Sequence, residues 1–133
     1  MENSRYETGL KLLAEVDGHV GEKVIAGLKD LAPDLSRYII EFAFGDIYDR
    51  PGLSLPEREM ITLGSLLTLG GCHDQLVVHI NGALNVGLAP AKVIETFIQC
   101  VPYAGFPRVL NAVTAARSVF AERGLSPVDN LEP

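Results

Sequence analysis

Residues 53–108 read LSLPEREMITLGSLLTLGGCHDQLVVHINGALNVGLAPAKVIETFIQCVPYAGFPR, and the fold turns on this stretch. Three helical patterns follow one another in it, parted by Gly70-Gly71 and by the run from Gly87 to Pro90. Ser54 with Glu57 three residues on is a capping box just ahead of an apolar run, so a helix is predicted over about 56–69. Met60, Ile61, Leu63, Leu66, Leu67 and Leu69 wrap more than half its circumference, the mark of a helix covered on several sides. The next helix starts near Cys72 or His73 and runs to Val86, with Gly87 closing it. Pro90 suits the first helical position of another, where Val93, Ile94, Phe97, Ile98 and Val101 recur at helical spacing. Pro102 has no backbone donor and should kink or end that helix.

Working outward, Asn3 or Ser4 can cap a first helix that Gly18 closes. A second fits about 20–31, and Asp34 caps a third through Phe44. Downstream, a last helix fits about 107–123, ended by Gly124, and the tail SPVDNLEP reads as loose. Alternating β-branched runs are missing. The expectation is an all-α, single-domain chain over 1–133 with roughly seven helices and short loops. Apolar arcs this wide on a small domain call for burial between subunits.

The chain has 133 residues, 47% apolar and 21% charged, enough to bury a core without disulfide or metal staples. Its net charge is −6 and it shows no basic stripe, which excludes nucleic acid binding through phosphate neutralisation. No apolar run reaches the ~18 residues of a membrane span. The polar, acidic start MENSRYETGLK is unlike a secretory signal, which points to the cytoplasm. Two cysteines in a reducing compartment are expected as thiols.

Chemistry concentrates on six polar residues set among apolar ones. His79 lies two helical turns after Cys72, with Leu76, Gly82, Ala83 and Val86 around it. Such an imidazole can relay a proton near neutrality, or it can be a core histidine satisfied by a carbonyl. Cys72 begins a helix, where the macrodipole favours thiolate; it can equally be a small buried hydrophobe. Arg58 and Glu59 open the apolar helix. They are either solvated first-turn charges, or an anion clamp and a partner for His79 or a thiol. Tyr103 and Arg108 flank the Gly105-Pro107 turn and can meet an anionic ligand. His73 and His79 are six apart, a poor spacing for one metal, so no metal is expected. CxxC, GxGxxG, P-loop, HExxH and GxSxG motifs are missing from the sequence.

Three segments, EFAFGDIYDRPGLSLPEREMITLGSLLTLGG, HINGALNVGL and PAKVIETFIQCVPYAGFP, resemble the carboxymuconolactone decarboxylase family over about residues 31–121. The resemblance implies an alkylhydroperoxidase-D-like orthogonal helical bundle and a homo-oligomer, commonly a trimer or hexamer. It also implies two chemistries. One is cofactor-free decarboxylation of a small carboxylated lactone in aromatic compound breakdown. Arg58 would then hold the carboxylates, Tyr103 or Arg108 the developing oxyanion, and His79 would supply the proton. The other is hydroperoxide reduction on the pattern E-x11-C-x2-C-x3-H. This chain keeps Cys72 and His79 but carries Gln75 and Met60 at the remaining positions, with Glu59 one residue out of register. That leaves a one-cysteine peroxidase through Cys72 with His79 and Glu59 as the alternative. An oligomeric small-molecule binding protein is the third reading.

Overall fold

The computed structural model describes residues 4–126. The candidate cap Asn3 and the tail from Pro127 lie outside the described residues. The described residues form helices and connecting turns, with no strand among them. In order these are α1 (Ser4–Leu28), α2 (Pro33–Tyr38), a π-helix continuing it (Ile39–Tyr48), α3 (Leu55–Leu69), α4 (His73–Asn85), α5 (Pro90–Gln99), α6 (Val101–Ala104) and α7 (Phe106–Arg123).

Gly18 breaks the helical run as the sequence predicts: with φ 54 and ψ −137 it leaves helical geometry, and α1 consists of two helical runs that meet at this kink. A residue with a Cβ is strained at that φ, so the kink requires glycine. Asp34, by contrast, is not the cap of α2: Ala32 holds that position without a side-chain hydrogen bond, and Pro33 begins the helix. Pro sets the helical φ and needs no donor there, which makes an acidic cap dispensable. The Ser54–Glu57 box forms as the spacing predicts, with Ser54 N–H donating to Glu57 Oε1 at 2.8 Å and Glu57 N–H to Ser54 Oγ at 3.3 Å. The break between α5 and α6 falls at Cys100, just before Pro102.

Two apolar clusters hold the chain together. The larger joins α3, α4, α5 and α7 through Leu63, Leu67, Ile80, Val93, Phe97 and Val119. Each large side chain fully buried there contributes roughly 1.5–3 kcal/mol. The smaller joins α1 to the π-helix through Leu13, Val16, Ile25, Ile40 and Phe44. The two elements touch backbone to backbone. A Cβ on Gly45 would stand 2.5 Å from the Arg5 carbonyl oxygen, and one on Gly9 would overlap that of Ile40. Helix α4 packs against α1, α3, α5 and α7, so it lies between both clusters.

The wide apolar arc of α3 is covered on one side only. Glu59, Leu63 and Leu67 are buried, while Ile61 and Leu69 are exposed, as are Ile98 of α5, Tyr103 of α6, and Phe106 and Leu110 of α7. No helix among the described residues is long and apolar enough to cross a membrane.

Candidate active site

Helix α4 carries the run His79-Ile80-Asn81-Gly82-Ala83-Leu84-Asn85, and each turn of it has a task. Ile80 and Ala83 are fully buried in the larger cluster. Asn81 and Asn85 both accept from Arg123 Nη1 of α7, at 3.0 and 3.1 Å. Asn85 Nδ2 donates to the Val16 carbonyl at 2.9 Å, just ahead of the α1 kink. Gly82 leaves room. A Cβ there would stand 2.8 Å from Asp17 Oδ1 and 3.1 Å from Glu59 Oε2. The run thus fixes α1 and α7 against α4 and lets two carboxyl groups approach the helix beside His79.

Glu59 is not a solvated first-turn charge. It is 0% exposed, with its two oxygens divided between two partners. Oε1 accepts the Tyr48 hydroxyl at 2.5 Å, and Oε2 lies 3.1 Å from His79 Nδ1. Tyr48 Oη also lies 3.1 Å from Thr62 Oγ1, and its ring stacks on Phe44 with centroids 4.6 Å apart. A buried carboxylate needs donors on both oxygens. With Glu59 ionised, His79 therefore presents N–H at Nδ1, and Nε2 is the nitrogen free to exchange a proton. Burial pulls the His79 pKa down. The Glu59 hydrogen bond, its charge and that of Asp17 outweigh burial, and the net shift is upward. The imidazole is thereby poised as an acid near neutrality.

His79 opens onto a cavity of about 520 Å³ between α1, the α2–π segment, α3 and α4. Its apolar lining includes Leu13, Ile25, Leu28, Ile39 and Phe44. Its polar lining is Asp17, Tyr48, Thr62, Asp74, Gln75 and His79. Asp17 is buried, and its Oδ1 has no hydrogen-bond partner among the described residues. Burial pushes its pKa up to about 6; the Glu59 charge adds to this and His79 opposes it. Among the described residues, no group of three or more His, Cys, Asp or Glu side chains is arranged to hold a metal ion.

The structure brings together two of the six sequence-predicted site residues, His79 and Glu59. Cys72 is elsewhere. It is the N-cap of α4, with φ −116 and ψ 38, so the two-turn relation to His79 does not extend to it. Its thiol donates to the Gly70 carbonyl at 3.3 Å and borders a different cavity, of about 190 Å³, with His73 and Arg108. The Arg58 guanidinium donates from Nη2 to the Arg50 carbonyl at 2.7 Å and is not on the wall of the His79 cavity. Tyr103 is exposed on a third groove with Ile61, Leu69 and Gln99. Within one chain, then, Arg58, Tyr103 and Arg108 do not line the cavity that His79 faces.

Sequence reasoning missed Asp17, Tyr48 and Thr62. Asp17 carried a signal: it falls in register with Leu13, Val16, Gly21 and Ile25, so an acid stands on the apolar stripe of α1. Tyr48 and Thr62 carried none beyond being a tyrosine and a threonine in apolar segments.

Fold and site together define a helical protein with a buried glutamate–histidine pair on the wall of a cavity sized for a small molecule. Residues 33–118 match the Carboxymuconolactone decarboxylase family, and the chain belongs to it. It is 34% identical to the 4-carboxymuconolactone decarboxylase of Acinetobacter baylyi over 128 residues, which span 95% of this chain and 94% of the relative. It is 28% identical to the nitrosuccinic acid decarboxylase of Metarhizium robertsii over 111 residues, 81% of this chain and 76% of that one.

Proposed function

We propose that the chain is a cofactor-free decarboxylase of a small carboxylated substrate, a carboxylated lactone in the first instance, with His79 as the proton donor. The observation that carries this is the His79–Glu59 contact of 3.1 Å at the wall of the cavity. Glu59 fixes Nδ1 as a donor and raises the basicity of the ring, so Nε2–H faces the substrate. When the carbon–carboxylate bond breaks, its electron pair moves into the conjugated carbonyl and CO2 departs. The resulting enolate carbon takes the Nε2 proton, and water restores it to the ring. General acid catalysis of this kind contributes about 10²–10⁴-fold. The similarity to two decarboxylases, acting on 4-carboxymuconolactone and on nitrosuccinic acid, supports the reaction class.

Homo-oligomerisation is part of the proposal. Ile61, Leu69, Ile98, Tyr103, Phe106 and Leu110 are large side chains left exposed on α3, α5, α6 and α7, and exposed apolar side chains that cluster are the mark of an interface. A second copy laid on these side chains would cover them.

The test is purified protein with 4-carboxymuconolactone, followed by CO2 release. Turnover is expected, abolished by His79→Ala and retained by Cys72→Ser. No turnover with this lactone or with nitrosuccinate would overturn the reading. Loss of turnover in Cys72→Ser with survival in His79→Ala would transfer the chemistry to the thiol.

A further inference from the structure

The Glu59–His79 pair leaves one group at the cavity unused. Asp17 is 4% exposed, lines the same wall, and holds Oδ1 without a partner. His79 from α4 and Glu59 from α3 act on it through their charges, and Asp74 from α4, Thr62 from α3 and Tyr48 from the π-helix line the same cavity. Glu59 is already engaged on both oxygens. No lysine or arginine is among the lining residues, so the one cation available there is the His79 imidazolium. A carboxylate left buried and undonated is costly, whereas its acid form is a hydrogen-bond donor in want of an acceptor. The α1 kink at Gly18 sets Asp17 at the wall, and Gly82 leaves the space its Oδ1 occupies.

We propose that Asp17 is a second catalytic residue, an acid whose O–H donates to the substrate oxygen on which negative charge builds as CO2 leaves. This rests on the decarboxylase reading above. The bond to the carboxylate carbon breaks, the pair moves onto the conjugated carbonyl oxygen, and Asp17 O–H binds that oxygen without giving up its proton. The pair returns to carbon as Nε2–H of His79 protonates it. One proton is consumed from solvent for each CO2 released. Burial keeps the Asp17 pKa at about 6, so the acid form persists into mildly acidic solution. The donors for a substrate anion are then a neutral acid and an imidazolium in place of an arginine clamp.

The test uses Asp17→Asn, whose amide donates at any pH, and Asp17→Val, which donates at none. Wild-type kcat is expected to fall as pH rises past about 6. Asp17→Asn should keep kcat within about tenfold at pH 5.5 and retain only the fall that follows loss of the His79 proton, while Asp17→Val should lose about 10²–10³-fold in kcat with little change in KM. An Asn variant that keeps the wild-type pH profile, or that loses as much as Val, overturns the proposal. A second arm needs no turnover: benzoate binding read from the His79 imidazole NMR signal at pH 5.5 and 7.5. Wild-type affinity should drop about tenfold or more across that interval and the Asn variant much less, because the acid fraction falls tenfold per unit above the pKa. Equal pH dependence in the two proteins overturns the Asp17 assignment whether or not CO2 is released. A positive benzoate arm without any CO2 upholds Asp17 as the donor and removes the decarboxylase reading alone. Should Asp17→Val fail to fold, the Asn variant decides both arms.

Discussion

The Tyr48 hydroxyl donates to Oε1 of Glu59 at 2.5 Å, on the carboxylate oxygen that His79 does not use. Two donors from two other elements therefore hold a glutamate that solvent does not reach. Burial and then the Glu59 charge raise the Tyr48 pKa, so the phenol stays protonated and remains a donor. The pair engages Nδ1 of His79 and leaves Nε2 outside this hydrogen-bonded chain.

Tyr48→Phe removes that donor and strands a buried carboxylate oxygen. An unmet buried acceptor of this kind destabilises by about 1–3 kcal/mol, more when charged. Chemical denaturation at pH 7 should show a loss of that size, with the helical circular dichroism unchanged. An unaltered midpoint would mean that Glu59 finds another donor.

Glu59→Gln takes away the main group that raises His79. Burial, the largest influence on the ring, is then opposed by Asp17 alone, so the His79 pKa falls. A raised histidine stabilises the fold fully below its unfolded pKa and loses that contribution as pH rises through the folded one. In the variant this contribution shrinks, and the acidic form needed for proton donation disappears at lower pH. NMR titration of the imidazole should show the downward shift, and kcat at pH 7 should fall by about 10²-fold. A His79 titration unmoved by the change would uncouple the two residues.

How far the sequence reveals this site depends on whether its parts are local. The Ser54–Glu57 box is a three-residue relation on one strand of chain, and it forms as read. Gly18 was legible as a break between two helical runs, and it is one; what no local pattern gives is the angle at which the runs meet, which depends on contacts from α4 such as the Asn85 bond to the Val16 carbonyl. Glu59 announced itself as an acid in an apolar helix. Its partner Tyr48 comes from a π-helix that no spacing rule predicts, and Asp17 arrives from α1 across the cavity. Cys72 misled for a geometric reason: heptad spacing places two residues on one face only where both are helical, and Cys72 is outside the first turn.

Asp17 makes a prediction about stability that does not depend on catalysis. Its folded pKa of about 6 stands above the ordinary 3.8, so the folded state binds its proton more tightly than the unfolded state. Stability from this group is greatest below pH 3.8 and declines as pH rises toward 6. The shift corresponds to up to about 3 kcal/mol. Asp17→Asn carries no such charge. The stability difference between variant and wild type should therefore grow in favour of the variant from pH 4 to 6 and level off above 7, read by urea unfolding at each pH. A flat difference would mean that Asp17 ionises in place without penalty.

Gly82→Ala tests whether the approach of the two carboxyl groups matters. The added methyl would stand 2.8 Å from Asp17 Oδ1, 3.1 Å from Glu59 Oε2 and 3.2 Å from Val16 Cγ1. Three contacts from two neighbouring helices leave no single flexible group to swing aside, so α4 must back away from α1 and α3. Overpacking of this kind destabilises by about 1–3 kcal/mol. Alanine favours helix over glycine by about 1 kcal/mol, which offsets part of this. The more telling readout is the His79 titration. Displacing Glu59 weakens the bond that raises the ring, so its pKa should fall toward that of Glu59→Gln while the fold persists. A Gly82→Ala protein with wild-type titration and turnover would mean that the site tolerates a wider separation than the 3.1 Å contact implies.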